Sequence, residues 1–235
     1  MRKLRTEAKF QGILERLGWK CCEDVVAHCQ NVTAGDFALG RQTGRPLWSE
    51  DGGRIKHLID FPHHLNVTFL ITIEEERTLW KMVERLGCLH LLTSAVKAEL
   101  NSYRLLRESG LPAPEIVASN DHCTCLLPNG GMLICQIPSG CLLRQFLANE
   151  FDATARQEAV HAGERALGKL VKSGLYCPDF LLDNIWLAAD GQIYFLGMRN
   201  LTTLNNLAPE YASQHLWEIY YSQISRGRAA SPWPP

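Results

Sequence analysis

Two polar side chains stand five residues apart on an otherwise apolar stretch, Tyr176 to Met198, YCPDFLLDNIWLAADGQIYFLGM. Asp179 comes first and Asn184 follows. A carboxylate can take a proton, and an amide oxygen can face a cation. The apolar run Ile185-Trp186-Leu187, the turn Ala189-Asp190-Gly191 and a second run from Ile193 to Leu196 come next. That pattern predicts a loop feeding a β-hairpin. Thirteen residues past Asn184, where the second strand ends, stands Gly197.

Upstream elements supply two more candidates. Asn66 to Ile73, NVTFLITI, alternates and is β-branched, and Thr78 to Val83, TLWKMV, is a second short run. With the charged turn Glu74 to Arg77 between them they predict a hairpin. Lys81 lies in the second run among apolar neighbours. It is either an outward-facing surface lysine or a ligand for phosphate. Residues 93 to 109 predict a helix, capped by Thr93 or Ser94 and stopped by Gly110 and Pro112. Glu99, Tyr103 and Leu106 share one face of it. An acid on that stripe points inward and needs a cationic partner. Lys81 is the candidate, with a local pair to Lys97 or Arg104 as the alternative.

The remaining pattern completes an α+β chain of two lobes. Phe10, Ile13, Leu14 and Leu17 predict a helix in residues 1 to 20, ended by Gly18. Residues 30 to 55 read as loops with one short strand. His57 to Phe61, Ile116 to Ala118, Cys123 to Leu127 and Met132 to Ile137 read as strands, with Pro128 to Gly131 as a turn. Pro138-Ser139-Gly140 reads as a hinge. Helices are expected over 142 to 151, 154 to 173 and 209 to 224, with a frayed tail beyond. The expected division is an N-terminal extension over 1–54, a small β-rich lobe over 55–137 and a short, mostly helical lobe over 138–235.

Composition narrows the classes. The 235 residues are 46% hydrophobic and 21% charged, as in a globular protein. A net charge of −1 gives no electrostatic case for nucleic acid. No apolar run is long enough for a transmembrane segment. The basic start MRKLRTEAKF has no apolar stretch behind it and is no secretory signal, so the cytoplasm is the expected compartment. Nine cysteines cannot all pair, and most are expected reduced. Cys21, Cys22 and Cys29 around His28, and Cys123 and Cys125 after His122, lack CxxC spacing and read as small buried hydrophobes, with zinc or redox chemistry as the alternative.

An Asp and an Asn five apart before a hairpin, with a strand lysine and a helix glutamate upstream, form the layout of the protein-kinase fold. More closely, the chain resembles the lipopolysaccharide-core kinases, which phosphorylate Kdo and heptose sugars. The resemblance is carried by TLWKMV around Lys81, by LTSAVKAELNSYRLLRESGLPAPEI from Leu92 to Ile116, and by LGKLVKSGLYCPDFLLDNIWLAADGQIYFLG from Leu167 to Gly197. It covers about residues 64 to 200. It implies that Lys81 holds ATP phosphates and pairs with Glu99. It implies that Cys135 to Ile137, Gln136 among them, lie against adenine. Asp179 would orient and deprotonate a sugar hydroxyl, and Asn184 would coordinate Mg²⁺. The implied partners are ATP and a lipid-linked sugar, met at the cytoplasmic face of the inner membrane.

Three positions depart from the pattern. Cys177 stands where the family has a histidine two residues before the acid. Phe61 to Asn66, FPHHLN, stands where a glycine-rich phosphate loop belongs. Gly197 replaces a metal-binding aspartate, a loss worth several kcal/mol of transition-state stabilisation. Asp183 is expected to point away from Asn184, and Asp190 to lie too far off. Two readings therefore stay open: an ATP-dependent phosphotransferase, or a pseudokinase that binds nucleotide weakly or acts as an interaction scaffold.

Overall fold

A computed structural model describes residues 3–29, 46–50, 54–61, 67–74, 94–124, 127–204 and 208–229. Two compact units emerge: Met1–Leu100 with Glu115–Ile137, and Asn101–Pro114 with Pro138–Pro235. The expected strand around Lys81 and the segment from Pro62 to Asn66 lie outside the described residues.

The first unit is built on an antiparallel six-stranded sheet. Its strands are β1 (Arg5–Thr6), β2 (Pro46–Glu50), β3 (Arg54–Phe61), β4 (Val67–Glu74), β5 (Glu115–Thr124) and β6 (Leu127–Ile137). They lie in the order β1-β5-β6-β4-β3-β2. Alternation in β4 sends Phe69 and Ile71 to the core, where they meet Ile59, Val117, Met132 and Ile134. Ile116 to Ala118 and Cys123, expected in two separate strands, lie in one strand, β5, with irregularities at Ile116/Ala118 and Asp121/Cys123, while Leu127 opens β6. The turn expected at Pro128 to Gly131 is part of β6. Gly131 faces Asp121, and a Cβ there would sit 2.7 Å from the Asn120 carbonyl oxygen. Its glycine serves close strand approach rather than a turn.

The N-terminal residues are part of this unit's core. The helix expected over residues 1 to 20 is shorter: β1 pairs with Ser119 and Ala118, a 3₁₀ turn spans Ala8–Phe10, and α1 covers Gln11–Arg16. Gly18 takes φ +73°, and Trp19 N–H closes back on the Leu14 carbonyl, a left-handed helix stop. A second helix, α2, occupies residues 22–29. Asp24 accepts from the Lys20 and Cys21 backbone N–H groups at its start. Phe10, Leu14, Trp19, Cys22, Val25 and Cys29 pack against the sheet. The three N-terminal cysteines are thus interior, and no group able to hold a metal occurs among the described residues.

Helix α3 (Ala95–Glu108) matches expectation and crosses the boundary between the units. Ser94 Oγ caps it by accepting from Lys97 N–H. Gly110 at φ +71° stops it, with Leu111 N–H bonded to the Leu106 carbonyl.

The second unit is mainly helical: α4 (Leu143–Asn149), α5 (Ala153–Lys172) and α6 (Pro209–Ala229). Asp152 caps α5 at Thr154 N–H. Helix α6 reaches Ala229, so the first residues of the expected frayed tail are helical. Strands β7 (Gly140–Leu142), β9 (Ile185–Ala188) and β10 (Ile193–Phe195) form one small sheet. Strands β8 (Leu175–Tyr176) and β11 (Thr202–Thr203) form another. Gly140 pairs with Ala188, and a Cβ there would fall 2.2 Å from the Leu187 oxygen. The α+β class, with one strand-rich and one mostly helical unit, is that read from the sequence.

Candidate functional site

The loop carrying Asp179 is set by elements on both sides. Gly174, at φ +73°, ends α5 and turns the chain into β8. Antiparallel pairing of Tyr176 with Thr202 and Leu175 with Thr203 brings the segment after the β9–β10 hairpin alongside the loop. Phe180 and Leu182 are buried and anchor it, and Leu182 N–H donates to Gln223 Oε1 of α6 at 2.6 Å.

Asp179 is exposed, yet its carboxylate is fixed. Oδ1 accepts from the Cys177 thiol at 3.1 Å, and Oδ2 accepts from Asn200 Nδ2 at 2.7 Å. Cys177, two residues before the acid, thus supplies one of the two donors that orient its carboxylate. Its thiol is buried, and burial pushes its ionisation well above the ordinary range, with the Asp179 charge adding to it. It remains a thiol and a donor at neutral pH.

Asn184 sits differently from its expected role. It is 7% exposed, at the end of the 3₁₀ turn Leu182–Asn184. Its Oδ1 accepts from Leu181 N–H at 2.7 Å, and its Nδ2 donates to the Leu196 carbonyl at 2.9 Å. An N–H on one side and a C=O on the other fix which way the amide faces. The Leu196 N–H returns to the Asn184 carbonyl at 2.8 Å. Gly197 follows at φ +66°, and its N–H donates to the Tyr103 hydroxyl at 3.1 Å. Asn184 therefore ties the loop to the hairpin's exit.

The other carboxylates are also engaged. Asp183 turns to Arg144 Nε at 3.2 Å; burial raises its pKa, against the pull of that guanidinium. Asp190 accepts from Gln192 N–H inside the hairpin turn. A magnesium ion needs a near-octahedral set of oxygens, normally including carboxylate. With Gly197 giving no side chain, Asn184 facing backbone and Asp183 held by Arg144, these residues do not fit Mg²⁺.

Of the other expected residues, Glu99 is fully buried in α3, as its stripe required. Gln136 is half-buried in β6, opposite Phe69 and Glu115. Lys81, and with it the expected Lys81–Glu99 pair, lies outside the described residues. Sequence reasoning missed Asn200, Tyr103 as the partner of Gly197, and Gln223. Only the position of Asn200 shortly after the hairpin gave any signal.

No family model and no curated protein matches the chain. Solved structures do. The bifunctional kinase-methyltransferase WbdD matches at 16% identity over 77% of this chain and 37% of that one, with a TM-score of 0.51. A second WbdD structure matches at 17% identity over 74% and 36%, with a TM-score of 0.50. WaaP in complex with acyl carrier protein matches at 15% identity over 79% and 78%, with a TM-score of 0.49. This chain spans a little over a third of the WbdD chains. The fold is kinase-like, in agreement with the resemblance read from the sequence.

Proposed function

We propose that this chain is an ATP-dependent phosphotransferase whose acceptor is a hydroxyl of a lipopolysaccharide-core type sugar. The observation that carries the reading is Asp179, solvent-exposed with its carboxylate aimed by Cys177 and Asn200. In this reading the acceptor oxygen attacks the γ-phosphorus of ATP and its proton passes to Asp179. The bond to the bridging oxygen breaks and ADP leaves. Lys81, Glu99 and Gln136 serve the nucleotide. The reaction runs at the cytoplasmic face of the inner membrane; no described helix is long and apolar enough to cross it.

A second reading, a pseudokinase that binds nucleotide and acts through a partner, is favoured by Gly197 and by the backbone engagement of Asn184. Transfer of labelled γ-phosphate from ATP to Kdo- or heptose-bearing lipid A core separates the two. Product that disappears in Asp179→Asn supports the phosphotransferase. Thermal stabilisation by ATP without product supports the pseudokinase. Neither product nor stabilisation overturns both.

A further inference from the structure

Away from the Asp179 loop, α5 and the β9–β10 hairpin enclose a cleft of about 130 Å³. Four residues of α5 line it, Ala162, Arg165, Ala166 and Lys169, at the spacings of three and four that put them on one face. The other wall has Ile193 and Phe195, which alternation in β10 turns to the same side, and Leu111 from the segment after α3. These three are buried and make an apolar floor. The alanines leave room that larger side chains would fill. Gln192 also lines the cleft, held at the hairpin turn by its N–H bond to Asp190.

The charges in this cleft are all of one sign. Arg165 and Lys169 stand one turn apart, and neither side chain has an ion pair or hydrogen bond among the described residues. Among those residues no carboxylate lines the cleft. Glu164, beside Arg165 in the chain, gives its two oxygens to His161 and Tyr221 and acts on Arg165 only through space. Gln192 Oε1 accepts from the Tyr194 hydroxyl, which leaves its Nε2 as a further donor. Like charges at this helical spacing repel, and a bridging anion relieves both.

We propose that this cleft binds a small amphiphilic anion, a phosphate monoester carried on an apolar group of about six carbons. An apolar cavity of about 150 Å³ holds one benzene ring, so the floor takes a group of that size and no more. A guanidinium and an ammonium together present donors to several phosphate oxygens. The monoester, close to doubly charged at neutral pH, answers both cations where a carboxylate answers one. A free sugar is disfavoured, because a floor without hydrogen-bonding side chains leaves its hydroxyls unpaired. No residue of 177–184 lines the cleft, so it is separate from the phosphotransfer site, and either proposal can fail without the other.

The test is titration of the full chain with phenyl phosphate, followed by its amide NMR signals. The expected shifts saturate and cluster at 111, 162–169 and 191–195. Inorganic phosphate, which lacks the ring, and benzyl alcohol, which lacks the charge, bind more weakly by about tenfold or more. Arg165→Gln and Lys169→Gln each weaken phenyl phosphate by about threefold to fivefold, the worth of a partly exposed charge pair. Ala166→Leu fills the cleft and removes saturable binding. Lys172→Gln, which removes an exposed cation of the same helix outside the cleft, leaves binding unchanged. Thermal unfolding of each variant checks that it is folded. Equal binding of inorganic phosphate and phenyl phosphate reduces the site to a surface charge patch and overturns the proposal. So do unchanged binding by a folded double variant, Arg165→Gln with Lys169→Gln, shifts confined to 177–184, and the absence of any saturable shift.

Discussion

Asn200 Nδ2 lies 2.7 Å from Asp179 Oδ2, joining two loops 21 residues apart in the chain. The bond exists because β8 and β11 pair just beside it. It supplies one of the two donors that fix the exposed carboxylate. Asn200→Ala is expected to cost about 1 kcal/mol of stability, the usual value of one such bond. Amide exchange in residues 177–181 should rise more than elsewhere in the unit. Uniform exchange across the variant would contradict a local role.

Tyr103 is expected to matter through its hydroxyl. It is fully buried and accepts the Gly197 N–H. Tyr103→Phe leaves that buried donor without its acceptor, at a cost of about 1–3 kcal/mol. Chemical denaturation of parent and variant measures it. A loss below a few tenths of a kcal/mol would mean that the N–H finds another acceptor.

Gly163 and Tyr220 form a second close pair. A Cβ at 163 would meet the Tyr220 oxygen at 2.2 Å, and that oxygen donates to the Val160 carbonyl. Gly163→Ala should therefore destabilise by about 1–3 kcal/mol through overpacking. Adding Tyr220→Phe removes the clashing oxygen, so the double variant should lose less than the sum of the two singles. Strict additivity would show that helix α5 shifts instead.

Asp183 predicts a pH effect of a definite sign. Its pKa in the fold is raised, mainly by burial. The fold then disfavours its ionised form, so stability falls as pH rises from the ordinary carboxylate value through the raised one. Asp183→Asn removes that penalty and keeps an oxygen for Arg144. It should be neutral or stabilising by under about 1 kcal/mol at pH 7, and the advantage should vanish below about pH 4. Urea unfolding across that range tests it; a variant destabilised at pH 7 would show that the Arg144 pair outweighs burial.

Thiol labelling should separate buried from accessible sulfur. Burial raises Cys29 to about 12, and Cys177 higher still. At pH 8 both should resist iodoacetamide in the folded protein and react on unfolding. Rapid labelling of either, read by peptide mass mapping, would show local opening of α2 or of the Asp179 loop.

Much of this was legible in residue order. Glu99, Tyr103 and Leu106 recur at helical spacing, and Gly110 stops the helix, so α3 and its buried acid could be read directly. The β9–β10 hairpin was equally plain from two apolar runs around Asp190-Gly191. Asp179 was recognisable as a loop acid, and Gly197 as a missing carboxylate. Periodicity reports which face of one element is buried, and it carried α3 and the hairpin; Asp179 and Gly197 stood out only through the resemblance to kinases.

What the tertiary structure decided is where polar side chains spend their hydrogen bonds. Nothing in the order of residues sends the Asn184 amide to Leu181 and Leu196, the Gly197 N–H to Tyr103, or Asn200 to Asp179. Those bonds depend on which strands and helices pack together, and residue order does not say which polar atoms that packing brings face to face. The same holds at the N-terminus, where one expected helix over residues 1 to 20 became a strand, a 3₁₀ turn and one short helix. There the sheet offered the N-terminal residues β5 as an edge partner and a face to cover, and long-range pairing outweighed local helical preference.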